Sequence, residues 1–120
     1  MPTSIVMKGA MQAYIDAFNA GDAAAVAALF ADEATIEDPV GGQIRTGKAV
    51  ILEFYEQNVA RGFKLVLDAP IRGSHGNAAA MAFTATDGAI QVRVIDVMSF
   101  DEAGKFTSMR AYFGPEDILT

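Results

Sequence analysis

Hydrophobic positions recur first at helical and then at strand spacing, with the change near Phe63. Met7, Met11, Tyr14, Ile15 and Phe18 stand three or four apart, so one side of a helix is apolar until Asn19-Ala20-Gly21 ends it. Asp22 is placed to cap a short second helix, Ala23 to Phe30, with Val26, Leu29 and Phe30 on its packing side. Ala34 to Asp38 alternates as a strand does, and Pro39 with Gly41-Gly42 closes it. Thr46 is the expected cap of a third helix, in which Val50, Ile51, Phe54, Tyr55 and Val59 keep a 3.6-residue rhythm as far as Gly62.

From Phe63 the period is two. Phe63, Leu65, Leu67 and Ala69 share one face of a strand, Ala78 to Ala85 forms another, and Asp87-Gly88 signals a hairpin into a long strand from Ala89 to Phe100. Asp101 to Gly104 turns the chain into a last strand, Lys105 to Phe113. Helices followed by strands on short turns predict an α+β domain, in which three N-terminal helices cover one face of a strongly curved, largely antiparallel sheet. A cone of that shape encloses an apolar pocket between helices and sheet.

Length and charge narrow the function. A chain of 120 residues, 52% hydrophobic, has material for one domain over 1–120 and one site. A net charge of -6, spread along the chain, disfavours nucleic acid and anionic membranes as partners. No cysteine is present and His75 is the one histidine, placed in a turn, so no metal-ligand spacing exists. The glycines of Gly41-Gly42, Gly47 and Gly73 lack the strand-to-helix setting of a phosphate loop. Met1 to Gly9 has no signal-peptide pattern and no run reaches 18 apolar residues, so the cytoplasm is the expected location.

Four polar side chains stand where apolar ones are expected. Ile90, Val92, Val94, Asp96, Met98 and Phe100 share one face of the long strand, which sets Asp96 in the most apolar row of the protein. Desolvation would hold a lone carboxyl there neutral, and a neutral carboxyl donates a hydrogen bond. The alternative is an ordinary structural network, or a core on the opposite face. Asp38 shares the face of Ala34 and Ile36 at a strand end, which suits either a turn before Pro39 or a general base at a pocket mouth. Tyr14 and Tyr55 lie on apolar helix stripes, where each hydroxyl needs a partner.

The strings Tyr14-Ile-Asp-Ala-Phe-Asn-Ala-Gly-Asp22, Ala28-Leu-Phe-Ala-Asp32 and Thr35-Ile-Glu-Asp-Pro-Val-Gly41 resemble bacterial ketosteroid isomerases. So do Glu53-Phe-Tyr55, Val94-Ile-Asp96 and Ser108-Met-Arg-Ala-Tyr-Phe-Gly114, and the likeness runs from about Met11 to Ile118. The resemblance implies a nuclear-transport-factor-2-like, or SnoaL-like, cone, assembled as a homodimer through the sheet. It implies Asp38 as general base, Tyr14 and protonated Asp96 as donors to an oxyanion, and Tyr55 as hydrogen-bond partner of Tyr14. Phe30 stands where some members carry a further network tyrosine.

The reaction so implied is conversion of a 3-oxo-Δ5-steroid into its Δ4 isomer, without metal or other cofactor. Val40, Phe54, Met81, Phe83, Met98 and Phe113 are the expected substrate contacts, with Met81, Phe83 and Phe113 near the steroid plane. The alternatives are a polyketide-cyclase-like or other isomerase or lyase acting on a hydrophobic carbonyl compound, and a non-catalytic binder of hydrophobic ligands. An epoxide-hydrolase Asp-Arg-Asp network has no counterpart here.

Overall fold

The computed structural model describes residues 1–120. Helix α1 spans Ser4–Asn19, α2 Ala23–Ala27 and α3 Lys48–Ala60. Strands β1 (Phe30–Glu37), β2 (Ile44–Thr46), β3 (Lys64–Leu67), β4 (Ala78–Thr86), β5 (Gln91–Phe100), β6 (Phe106–Tyr112) and β7 (Ile118–Leu119) form one sheet. Its order is β2-β1-β6-β5-β4-β3, with β7 beside β5. All pairs are antiparallel except β1 with β6. The α+β class and the mixed, largely antiparallel sheet agree with the pattern read from the chain.

The helices start and stop for local reasons. The Thr3 hydroxyl accepts from the Val6 amide at 3.2 Å to open α1, and the Asp22 carboxylate accepts from the Ala25 amide at 3.0 Å to open α2. Gly21, at φ +75°, makes the turn between them. The face predicted for α1 is the one buried: Met7, Met11, Tyr14, Ile15 and Phe18. The Asn19 side chain then donates to the Leu65 carbonyl and accepts from its amide, both at 2.8 Å. This pair satisfies backbone groups on edge strand β3 and fixes the end of α1 against the sheet.

Three boundaries differ from the sequence reading. α2 ends at Ala27, and Phe30 opens β1, because it pairs with Phe106 of β6 and the ladder takes over from the helix. Thr46 does not cap α3; it lies in β2 opposite Thr35, and Gly47, at φ +96°, occupies the cap position. The Asp87-Gly88 hairpin has a four-residue connection, since Thr86 faces Gln91 and the Asp87 carboxylate accepts from the Ala89 and Ile90 amides. Two short strands, β2 and β7, have no counterpart in the linear pattern.

Register shifts between Phe30 and Thr35 in β1, and between Ser99 and Phe100 in β5, bend the sheet around the helices. β7 meets β5 at Gln91 and Val92, beyond the stretch from Ile95 to Phe100 that pairs with β6. The tail thus forms part of the rim at the open end of the cone, where Ile118 borders the cavity. A cluster of 24 buried side chains forms the core, with Phe30, Phe106, Met98 and Met109 among the most deeply buried. No helix is long and apolar enough to cross a membrane.

Candidate active site

The open end of the cone holds a cavity of about 270 Å³, close to the lower bound of roughly 300 Å³ for small-molecule sites. Thirteen of its 17 lining residues are hydrophobic, two tyrosines among them, and four side chains with polar ends that meet inside it set its chemistry. α1 contributes Tyr14, the residue after β1 contributes Asp38, α3 contributes Tyr55 and β5 contributes Asp96. Four side chains from four segments meet on one cavity.

Asp96 is buried to 1% exposure, and neither of its carboxyl oxygens has a hydrogen-bond partner in the protein. It faces Met81 of β4 and Ala111 of β6 across the ladder, with Val94 and Met98 as its neighbours on the inner face. A buried polar group without a partner costs about 1–3 kcal/mol. Burial, reinforced by the nearby charge of Asp38, pushes its carboxyl well above the usual carboxylate range. Burial thus favours the protonated form of Asp96, whose carboxyl has no acceptor within the protein.

Tyr14 and Tyr55 share a hydrogen bond of 2.8 Å between their hydroxyls. Burial raises both phenols well above their ordinary value, so both keep their protons. Tyr55 is held edge-on by Phe54 at 5.1 Å and Phe18 at 6.2 Å, while Phe30 lies tilted against it at 5.8 Å. Phe30 therefore closes the pair with a hydrocarbon ring, and the phenol network has two members. One bond uses one proton, which leaves the second free for a ligand oxygen.

Asp38 follows β1 at a cis peptide bond to Pro39, and it is only partly buried. Burial raises its pKa to about 6, while Arg45 acts in the opposite direction. At pH 7 it is mostly ionised. Asp38, Phe54, Asn58 and Arg61 also line a second, polar cavity of about 260 Å³, which Asp96 and the two tyrosines do not reach. The carboxylate is thus at the junction of an inner apolar chamber and an outer polar one. Of the two carboxyl groups in the pocket, the fully buried Asp96 is biased toward its neutral form and Asp38, at the junction, remains able to ionise.

The raised value has a consequence for stability. Between about pH 4 and pH 6 the folded chain holds a proton on Asp38 that the unfolded chain has released, so raising the pH through this window favours unfolding. The loss is about 3 kcal/mol for a shift of this size, and Asp96 adds to it in the same direction. Chemical denaturation from pH 4 to pH 7 is expected to show falling stability, and the slope is expected to flatten in Asp38→Asn. An unchanged slope in that variant would remove Asp38 as its source.

Of the apolar contacts expected from the sequence, Phe54, Phe83 and Phe113 line the inner cavity. Met81 and Met98 are buried in the core, at 2% and 0% exposure, and Val40 is outside the lining, with its amide bonded to the Ala111 carbonyl. Alternation put Met81 and Met98 on the right face, but the bend of the sheet gives that depth of the cone to packing. Asn58 and Arg61 were not singled out, although they follow Phe54 by four and seven residues and so share its side of α3. His75 is exposed in a turn.

A cone of helices on a curved, largely antiparallel sheet, with an apolar pocket between them, is the architecture of nuclear-transport-factor-2-like proteins. The SnoaL-like domain profile matches residues 11–109, and the chain belongs to that family. It is 42% identical over 120 residues to a protein named Steroid Delta-isomerase from Nocardioides simplex, covering 97% of this chain and 96% of the relative. Among solved structures it is similar to SalBIII, described as an epoxide hydrolase/cyclase-like enzyme of pyran ring formation in the polyether salinomycin. That likeness has a TM-score of 0.86 and 30% identity, and covers 95% of both chains.

Proposed function

We propose that this protein is a steroid Δ-isomerase, which moves the double bond of 3-oxo-Δ5-steroids into conjugation by proton transfer through a dienolate. The observation that carries the reading is the pair of unpartnered donors, Asp96 and one proton of the Tyr14–Tyr55 pair, facing an ionised Asp38 across an apolar chamber. The 42% identity to the Nocardioides simplex protein supports the same chemistry.

In this mechanism the ketone oxygen enters the chamber first and accepts from Tyr14 and Asp96. Asp38 removes a proton from C4, and the electrons of that C–H bond pass into a dienolate, placing negative charge on the C3 oxygen. Donors already aimed at that oxygen need no reorganisation, and each is worth about 2.7–4 kcal/mol of barrier in comparable oxyanion sites. In this mechanism Tyr55 takes the donor role in the hydroxyl pair, which leaves the Tyr14 proton for the ligand. Asp38 then returns its proton to C6, the conjugated enone forms, and the base is restored. Base and donors suffice for this sequence, and no group beyond the chain is invoked.

The direct test is turnover of androst-5-ene-3,17-dione, followed by the rise of conjugated-enone absorbance. Because the base acts only when ionised, kcat/KM is expected to climb with pH through about 6 and level off above it. Folded protein without activity across that range would reject the reading. The structural likeness to a cyclase-like enzyme favours one second reading, cyclisation of a polyketide-like substrate. A panel holding both substrate types separates the two, since only the steroid reaction needs both Asp96 and Tyr14.

The working form in this proposal is a homodimer through the outer face of the sheet. Ala82, Ile95 and Tyr112 stand in register across β4, β5 and β6, with Ala80 and Val97 beside them, and Ile95 and Tyr112 are 49% and 41% exposed. An exposed apolar patch of this kind is what a self-complementary interface uses. Sedimentation is expected to give twice the chain mass, and Ile95→Arg to give the single mass. A monomeric parent protein would overturn this part.

A further inference from the structure

The outer cavity is polar in a protein whose pocket is otherwise apolar, and its polarity is cationic. Its lining is Asp38, Arg45, Phe54, Gln57, Asn58 and Arg61: two guanidiniums and one carboxylate, an excess of one positive charge. The chain as a whole carries 15 acidic and 9 basic residues, so such an excess runs against its composition. Neither Arg45 nor Arg61 has a carboxylate within ion-pair distance; the ion pairs of the protein involve Lys48, Arg110 and the N-terminus instead.

Both guanidiniums are also anchored. Arg45 stacks on the Phe54 ring at 4.7 Å, and Arg61 on the Phe63 ring at 5.1 Å, and both rings are walls of the inner chamber. Stacking spends the flat face of a guanidinium and leaves its N–H edge free for an anion. Arg61 and Asn58 line both cavities, so the rim borders the chamber directly.

We infer that Arg45 and Arg61 form an anion-recognising rim, so that the preferred ligands are apolar ketones carrying a carboxylate, or an anion of like size, at the end remote from the carbonyl. This rests on the functional reading above and specifies its substrate class. The chamber takes the hydrocarbon body, Asp38 stays at the junction, and the arginines pair with the distal anion. Asp38 opposes that anion. The two guanidiniums outweigh it, and Arg45 offsets it directly, as its pull on the Asp38 carboxyl indicates. Arg61 has no such hold on Asp38, although it does draw on the exposed carboxylate of Asp87. That makes Arg61 the cleaner residue to change.

The experiment is calorimetric binding of 3-oxo-androst-4-ene-17β-carboxylate and of its uncharged methyl ester to the full chain. The parent is expected to bind the acid roughly tenfold more tightly, the scale of one charge-assisted hydrogen bond. The preference is expected to shrink in 0.5 M salt, because the rim is open to solvent. Arg61→Gln is expected to lower the acid-to-ester ratio several-fold, and Arg61→Lys to restore part of it. The ratio cancels any general loss of fold or pocket shape common to both ligands. Equal binding of acid and ester by the parent, or a ratio unmoved in Arg61→Gln, would overturn the inference while leaving the isomerase reading in place. Failure of both ligands to bind folded protein would sink that reading, and the inference with it.

Discussion

Asp38→Asn is expected to lower kcat for androst-5-ene-3,17-dione by roughly 10²–10⁴-fold, the range that a positioned general base contributes. Asparagine has the shape of the carboxylate and none of its basicity at any working pH. Pocket form is kept, so steroid affinity is expected to hold or to rise. A rise is reasonable because the parent spends free energy keeping a partly buried charge at pH 7, and the amide does not. The rise of activity through about pH 6 is expected to vanish along with the base. Turnover by stopped-flow absorbance, beside equilibrium binding of the conjugated product, separates chemistry from affinity. Activity near that of the parent would show that another group removes the proton, and the site would then need a different base.

Asp96→Leu is expected to move activity and stability in opposite directions. The rate is expected to fall by about 10²–10³-fold, the cost of one oxyanion donor, because leucine offers the developing charge nothing. Folding is expected to improve by about 1–3 kcal/mol, since the variant no longer buries two polar oxygens without partners. Such an exchange is the signature of a residue kept for its chemistry. Enone formation and urea denaturation on the same preparation read both effects. A variant that is slower and also less stable would mean that Asp96 supports the fold through a contact with its surroundings, and its role as a poised donor would be withdrawn.

The same side chain shows how far the sequence could be read. Strict alternation from Ile90 to Phe100 put Asp96 on the apolar face, and the observed inner row of Val92, Val94, Asp96, Met98 and Phe100 is that row. The stripe of α1 carried over equally well, because period 3.6 over 16 residues leaves one choice of buried side. Boundaries fared worse where a neighbour in space outbid local preference. Phe30 has the look of a helical residue after an alanine-rich run, yet its parallel pairing with Phe106, 76 positions away along the chain, draws it into β1. Thr46 had the chemistry of a cap, but the ladder to Thr35 took its backbone.

The linear pattern by itself determined which side chains face inward, since periodicity depends only on backbone geometry, and so it singled out Tyr14, Tyr55, Asp38 and Asp96 as polar groups on apolar faces. Depth was decided by the tertiary structure alone. The bend of the sheet separates Met81 and Met98, which serve the core, from Phe83 and Phe113, which serve the cavity. It also leaves Asp38 at a wet junction and Asp96 in a dry recess. Desolvation is a property of everything packed around a group, drawn from all parts of the chain, and no local run of residues contains it.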